Sequence, residues 1–382
     1  MTRVPDASPE RSAADPAIDA ELGNLRAEID RVDQEILARL NERAALGQQV
    51  GQLKGRVGRA VFAAGRERDL LEALRRRNAG PFPTGAIEPV FREIISATRA
   101  LERPLRIAYL GPEGTFAHEA ARRFFGASAT LVAVSPIAEI FAAVERGDVE
   151  HGVAPVENTT QGVVTETFDT LATTQVELCG EMLLRVSYQL LSRSGRIDDV
   201  KRVASHPQGL AQCRLWLDRH LPGAERVETA STAAAARLAA EDHAVAAVAS
   251  AVAGETYGLS PAAQAIEDRR DNTTRFLLLG QEPAARSGQD LTSAVFTVRK
   301  TQPGALHRLL EPFARHGVNL TSIQSRPMPG KPFEYLFFLD LEGHRDDARV
   351  VAALGEAAAS AHSHRVLGSF PRATTSGEAS PS

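Results

Sequence analysis

The stretch DNTTRFLLLG, residues 271–280, runs without a break from polar side chains into an apolar strand. Asn272, Thr273, Thr274 and Arg275 place a carboxamide, two hydroxyls and a guanidinium at the mouth of that strand. Such a set can cap a strand edge, or it can form the polar floor of a pocket. Three clusters of similar character precede it, each after a short apolar run: GPEGTFAHEA (111–120), APVENTTQG (154–162) and SHPQG (205–209). The glycines of the first leave backbone N–H groups free to meet an anion at a helix start. Each cluster alone is ordinary turn chemistry. Four in one segment, rich in Thr, Asn, Gln and Ser, make a candidate site.

A second group of residues is cationic. Arg26, Arg43, Lys54 and Arg66 fall in one all-helical segment, the first three on its first helix and Arg66 at the start of its second. Arg43 and Lys54 are eleven positions apart, close to three whole turns, so they share a helix face about 16 Å apart along the axis. Two long side chains at that spacing can grip one small dianion between them. Arg26 stands about 25 Å before Arg43 and about a quarter-turn off that face. If Arg26 joins that site, it must come from a partner subunit. Thr98 and Glu102, at i and i+4, point a hydroxyl and a carboxyl the same way. Taken by themselves, these residues also read as solvated charges on an oligomerising helical module.

Three segments of different pattern must position these groups. Residues 18–103 read as all helix: Leu22, Leu25, Ile29, Val32, Ile36 and Leu40 alternate steps of three and four, and the pattern runs on through Leu46, Val50 and Leu53. One helix of about 35 residues is long for a compact single chain and suggests pairing with another. RERDLLEALRRRN predicts a second helix, ended by AGPFP, and a third carries Ile87, Val90, Phe91, Ile94, Ile95 and Leu101. Across 104–281, short apolar runs (LRIAYLG, ATLVAV, HGVAPV, KRVAS, AVAAVAS, TRFLLLG) mostly alternate with helical stretches. That order predicts an α/β segment with largely parallel sheets and room for two lobes. Residues 282–290 read as a linker. Residues 291–371 run strand, helix, strand, strand, helix, strand, which predicts a ferredoxin-like βαββαβ sandwich. The ends, 1–17 and 372–382, read as disordered.

Bulk composition narrows the function classes. The 382 residues are 43% hydrophobic and 24% charged, with a net charge of −4. This balance gives no reason to expect nucleic acid or an anionic membrane as partner. No apolar stretch approaches the roughly 18 residues that span a bilayer, and the first residues lack the apolar core of a secretory signal. Cys179 and Cys213 are too few for a disulfide framework and lack metal-ligand spacing. A reducing cytoplasm is the expected location.

The helical stretches LRAEIDRVDQEILARLNERAALGQQVGQLK, RERDLLEAL and FREIISATRALE resemble the all-helical chorismate mutase family. The resemblance implies a pericyclic rearrangement of the dicarboxylate chorismate to prephenate. No covalent intermediate is needed, and cations clamping the carboxylates and polarising the ether oxygen supply the catalysis. It places Arg26, Arg43 and Arg66 as carboxylate clamps, Lys54 at the ether oxygen and Glu67 at the ring hydroxyl. Thr98 and Glu102 would line the opposite wall, and Arg26 would arrive from the second chain of an interlocked dimer. Two positions depart from the family pattern. Ala63 stands where many members carry Asp. Glu102 replaces a Gln, so it should act protonated beside an oxygen gaining negative charge.

GPEGTF, VENT, SHPQ and TRF, in that order, resemble prephenate dehydratases. The resemblance implies a two-lobed fold similar to periplasmic binding proteins, with the active site in the cleft. Carbon dioxide and the ring hydroxyl leave prephenate together, giving phenylpyruvate. Aromatisation drives the step, so no metal or redox cofactor is expected, and the protein assists the departing hydroxyl with a hydrogen-bond donor. Thr274 would be the essential hydroxyl, with Asn158, Thr159 and Gln208 orienting substrate, and Ser205 and Thr115 as further candidates. Arg275 is either a substrate anchor or a structural ion pair.

Within 291–371, PGALHRLLEPF and NLTSIQSRPMPGKPFEYLFFLDLEG resemble an ACT domain of the kind fused to prephenate dehydratases. The resemblance implies a phenylalanine site at a subunit interface, formed by Gly304, Ala305, Leu306, Ser325, Arg326 and Pro327. Gln324 and His307 depart from the common Glu and Val. The alternative is a module that only dimerises. Together the three segments imply a bifunctional chorismate mutase/prephenate dehydratase with phenylalanine as effector, working as a homodimer or higher oligomer. A dehydratase whose helical segment only dimerises, and a non-catalytic ligand sensor, are the rivals.

Overall fold

The computed structural model describes residues 16–56, 64–102, 105–298, 303–328 and 334–373. Ala63, the extreme ends, and the side chains of Lys54 and Glu102 lie outside the described residues. The chain divides into two units, Met1–Gly58 and Arg59–Ser382.

The first unit holds α1 (Pro16–Arg56), a 41-residue helix. Pro16 opens it, where a missing N–H removes nothing from the helix. Its stripe of Leu22, Leu25, Ile29, Val32 and Ile36 is exposed, with Ile29 at 59%. Helices draw most of their stability from packing such a stripe.

The second unit begins with α2 (Ala64–Arg77) and α3 (Thr84–Glu102). The sequence between them, NAGPFP, breaks the helix, and Asn78 ties the turn by donating to the Phe82 carbonyl and to Thr84 Oγ1. The α/β segment follows as two lobes. The first is built from β1 (Arg106–Leu110), α4 (Phe116–Phe125), β2 (Thr130–Val134), α5 (Ile137–Glu145), β3 (His151–Asn158), β4 (Gly162–Val163), α6 (Thr165–Leu171) and β5 (Glu177–Arg185). The second contains β6 (Gln189–Ser192), β7 (Arg202–Ser205), α7 (Pro207–Gln212), α8 (Arg214–His220), β8 (Glu225–Glu228), α9 (Thr232–Glu241), β9 (Val245–Ala249), α10 (Ala251–Tyr257) and β10 (Ser260–Ala263). The chain then returns to the first lobe as β11 (Thr273–Gly280).

Strand order in the first lobe is β2-β1-β3-β11-β5, with β4 paired to β3; in the second it is β10-β6-β9-β7-β8. The apolar runs named above form β1, β2, β3, β7, β9 and β11, but the expectation of largely parallel sheets is corrected. Parallel pairing is confined to β2-β1-β3 and β8-β7-β9. Strand β11 runs antiparallel to both β3 and β5. The physical reason is the path: the chain leaves the first lobe along β5 and re-enters along β11, which inserts beside β3 in the reverse direction. The two crossover segments are stitched together. Val186 N–H donates to the Asn272 carbonyl at 2.9 Å, Ile266 N–H to the Tyr188 carbonyl at 3.0 Å, and Tyr188 N–H to the Glu267 carboxylate at 2.9 Å.

The C-terminal part runs β12 (Asp290–Val298), α11 (Ala305–Arg315), β13 (Leu320–Pro327), β14 (Tyr335–Glu342), α12 (Ala348–Ser360) and β15 (Ser363–Pro371). Its antiparallel order β13-β14-β12-β15 is the expected ferredoxin-like arrangement. Both faces of this sheet are covered. One packs on the two helices through Phe296, Leu309, Phe313 and Leu354. The other shares a core with the first lobe, where Leu336, Phe338 and Phe370 meet Phe168, Leu178 and Leu277. Strand β15 crosses β5 so closely that a Cβ on Gly368 would stand 2.3 Å from the Leu178 carbonyl oxygen. Only glycine lets the two backbones meet there.

Candidate active site

Register brings the polar clusters together. Thr274 on β11 lies directly opposite Asn158 on β3. The Asn158 side chain is 7% exposed, and its Nδ2 donates to Thr274 Oγ1 and to Asn272 Oδ1, both at 2.8 Å. Its Oδ1 accepts from Thr160 N–H at 3.0 Å and from Gln161 N–H at 3.1 Å. Backbone N–H groups can only donate, so the amide of Asn158 has one allowed orientation. Thr274 Oγ1 is therefore an acceptor towards Asn158, and its own proton is left to be given elsewhere. Among the described residues no acceptor takes it. The hydroxyl is set up as a donor.

The second lobe reaches this cluster through α7. Gln212 Oε1 accepts from Asn272 Nδ2 at 2.9 Å, and Gln212 Nε2 donates to Thr160 Oγ1 at 3.1 Å. Gln208, one turn earlier on the same face of α7, is half-buried. Helix α7 packs tightly on β7: a Cβ at Gly209 would stand 2.4 Å from Ser205 Oγ. Ser205 itself is fully buried and donates to the Val248 carbonyl at 2.6 Å, so in this structure its hydroxyl ties β7 to β9. Thr159 is likewise engaged by backbone, donating to the Asp271 carbonyl and accepting from Thr273 N–H at 3.0 Å.

The glycine-rich turn after β1 is shaped by Thr115 and His118. Thr115 caps α4, its Oγ1 accepting from His118 N–H at 3.3 Å and donating to the Pro112 carbonyl at 3.0 Å. His118 Nδ1 accepts from Gly114 N–H at 3.0 Å, and the ring stacks on Tyr109 with centroids 5.1 Å apart. Burial pulls the His118 pKa below its ordinary value, with Arg122 acting the same way and Glu113 and Glu255 opposing. A neutral ring is what the Gly114 bond requires.

Of the two roles open for Arg275, the structure records the ion pair. Its guanidinium bonds Glu181 on β5 at 2.7 Å and Asp340 on β14 at 2.6 Å. Asp340 is also bound by the Ser293 hydroxyl. Neighbouring side chains on a strand point to opposite faces. Thr274 thus meets Asn158 while Arg275 fastens the first lobe to the C-terminal sheet. A void of about 20 Å³, lined in part by Leu277, Phe338 and Asp340, lies in that junction and belongs to its packing.

Arg326 has a comparable task. It bonds Asp169 of α6, at 2.9 and 3.2 Å from one nitrogen. Ser325 and Pro327 flank it on β13. Gly304, with φ of +75°, precedes the first residue of α11, Ala305, and Leu306 is exposed. In the helical part, Arg26, Arg43 and Lys54 lie on α1. Arg66 and Glu67 open α2, and Thr98 lies on α3, where its hydroxyl donates to the Ile94 carbonyl at 2.8 Å. Glu67 is bonded to Arg99 at 2.9 Å. Among the described residues, no group of three or more His, Cys, Asp and Glu side chains could hold a metal ion.

Thr160, Gln212 and Asn272 are the residues that sequence reading passed over as site members. Asn272 was visible at the strand mouth and Thr160 beside Asn158, but nothing in the spacing shows that Gln212 bridges them.

Family models match each segment. Chorismate mutase type II matches residues 25–103, prephenate dehydratase 107–284 and the ACT domain 293–359. A bifunctional chorismate mutase/prephenate dehydratase of Aquifex aeolicus is 45% identical over 357 residues, covering 92% of this chain and 98% of its own. Among solved structures, a prephenate dehydratase of Arthrobacter aurescens in complex with L-Phe is 36% identical, with a TM-score of 0.65 over 70% of this chain and 90% of its own. A structure described as GqqA, a novel type of quorum-quenching acylase, is 31% identical, with a TM-score of 0.64 over 70% of this chain and 97% of its own.

Proposed function

The chain belongs to the family of bifunctional chorismate mutase/prephenate dehydratases, and from that premise we propose how its residues divide the work. The protein rearranges chorismate to prephenate and converts prephenate to phenylpyruvate. The scaffold alone would not decide this, since the GqqA structure shares it. The relatives that span nearly the whole chain do.

In the dehydratase step the bond to the ring carboxylate breaks and releases carbon dioxide, its electron pair enters the ring, the C–OH bond breaks, and the departing hydroxide takes a proton from solvent to leave as water. Thr274 supplies the hydrogen bond to that leaving oxygen. The single observation that supports this assignment is the 2.8 Å bond from Asn158 Nδ2 into Thr274 Oγ1, whose direction leaves the Thr274 proton for the substrate. Gln208 and Thr115 line the site, while Arg275, Ser205 and Thr159 hold its frame.

In the mutase step Arg26, Arg43 and Arg66 clamp the carboxylates, Lys54 and a protonated Glu102 meet the ether oxygen, and Glu67 and Thr98 complete the wall. The geometry of one helix favours Arg26 entering from a second subunit, so the working form is a homodimer or a higher assembly. The domains run 18–103, 104–281 and 291–371, with 282–290 as linker. Phenylalanine binds at Gly304, Ala305, Leu306, Ser325, Arg326 and Pro327 and inhibits the dehydratase. No described helix is long and apolar enough to cross a membrane, and a cytoplasmic location fits the two free cysteines.

One experiment tests the whole. Purified protein is given chorismate, and prephenate and phenylpyruvate are followed separately, with and without millimolar phenylalanine. Wild type forms both products, and phenylalanine suppresses the second. Thr274→Ala accumulates prephenate, its dehydration falling about a hundredfold or more, as expected for loss of the hydrogen bond that stabilises the departing hydroxyl. Phenylpyruvate formed at the wild-type rate by the variant would refute the role of Thr274.

A further inference from the structure

The hydrogen bonds around Asn158 close into a ring with one sense of direction. Asn158 Nδ2 donates to Asn272 Oδ1 at 2.8 Å, Asn272 Nδ2 to Gln212 Oε1 at 2.9 Å, Gln212 Nε2 to Thr160 Oγ1 at 3.1 Å, and Thr160 Oγ1 to Asn158 Oδ1 at 2.6 Å. Its direction is not free. The Thr160 and Gln161 N–H groups fix Asn158 Oδ1 as acceptor, which fixes Asn158 Nδ2 as donor, and each amide around the ring follows. Bonds that all run one way polarise one another. Thr160 Oγ1 also lies 3.2 Å from Asn272 Oδ1 inside the ring, and the second N–H of Asn158 leaves the ring to end on Thr274 Oγ1.

Three members stand in the first lobe or directly before its returning strand, and the fourth, Gln212, comes from α7 of the second lobe. Asn272 is 3% exposed and is the member that holds both sides, Asn158 with its oxygen and Gln212 with its nitrogen. We propose that Asn272 and Thr160 are positioning residues of the dehydratase: by closing this ring across the two lobes they hold Asn158 with its N–H on Thr274, so that the Thr274 proton points to the leaving hydroxyl. Neither touches substrate in this scheme. With either one removed, the Thr160 and Gln161 N–H groups still set which way the Asn158 amide faces, but one of the side-chain bonds that fix its plane is lost, and the hydroxyl of Thr274 is held less firmly in its direction. The proposal rests on Thr274 being the donor.

The test uses the full-length chain, with chorismate consumption as an internal control. Asn272→Ala, Thr160→Val, their combination, and Thr160→Ser are compared with wild type and Thr274→Ala on prephenate. Thr160 lies on the surface, so its replacement by a side chain of equal shape keeps the fold intact should Asn272→Ala disturb it. Each single change should lower kcat about tenfold, the scale of one buried hydrogen bond, with KM within about threefold. The double variant should be no slower than the worse single, since one break opens the ring. Thr160→Ser, which keeps the hydroxyl, should restore kcat to within about threefold. Wild-type kcat in Thr160→Val, effects that multiply in the double variant, or a change in KM alone would overturn the ring. Should Thr274→Ala itself dehydrate normally, the donor assignment falls instead, and the two failures are told apart.

Discussion

His118 illustrates how one side chain sets a condition on the site. Its Nδ1 accepts from Gly114 N–H, a bond that protonation of that nitrogen would abolish. Burial lowers its folded pKa from an ordinary 6.5, with Arg122 adding to the effect and Glu113 and Glu255 opposing it. A group with a depressed folded pKa binds its proton more readily when unfolded, so the neutral ring contributes stability above pH 6.5. That contribution is lost as pH falls from there through the folded value. The unfolding midpoint should therefore decline on acidification through this window. His118→Asn keeps an acceptor at the same place and cannot be protonated, so it should flatten the slope. Equal slopes in the two proteins would show that His118 is not the titrating group.

At the scale of elements, β11 does two tasks with adjacent residues. Thr274 faces Asn158, and Arg275 faces Glu181 and Asp340. The arginine side chain is 16% exposed and its partners 5% and 14%, so its removal leaves two carboxylates in poor solvent. Breaking a buried pair by removing one partner costs about 3–5 kcal/mol. Arg275→Met should lower the denaturant midpoint accordingly while KM for prephenate stays within about threefold. A variant of undiminished stability with KM raised tenfold would restore Arg275 to the role of substrate anchor. Arg326, joined to Asp169 on α6, repeats the pattern from the other side. Two arginines of the signature stretches thus serve the junction between the catalytic and C-terminal parts.

For the whole molecule, the apolar stripe of α1 is the feature that asks for a partner. Burying a Leu, Val or Ile side chain stabilises by about 1.5–3 kcal/mol, so the five residues from Leu22 to Ile36 offset on the order of 10 kcal/mol once covered. A second copy is the expected cover. Light scattering should give at least a dimer mass, and Ile29→Glu should shift the protein towards monomer. If Arg26 enters the mutase site from a second chain, as proposed, the mutase in that variant should lose about tenfold or more of kcat/KM at low protein concentration. A monomer with full mutase activity would end the two-chain scheme.

The sequence by itself determined the three-part order, the helical repeat of α1, the strand–helix alternation and the βαββαβ order, because each is written in local hydrophobic period. Its short motifs at strand ends also offered Thr274 and Asn158 as candidates, through their resemblance to a known family. Only the tertiary structure decided which way the strands run, because β11 lies antiparallel between β3 and β5 through a return path that no local period encodes. The same holds for Arg275, whose partner Asp340 lies 65 residues away, and for Gln212, which meets Asn272 from 60 residues away. Hydrogen bonds between distant segments depend on where folding brings the backbone, and side-chain type alone leaves that open.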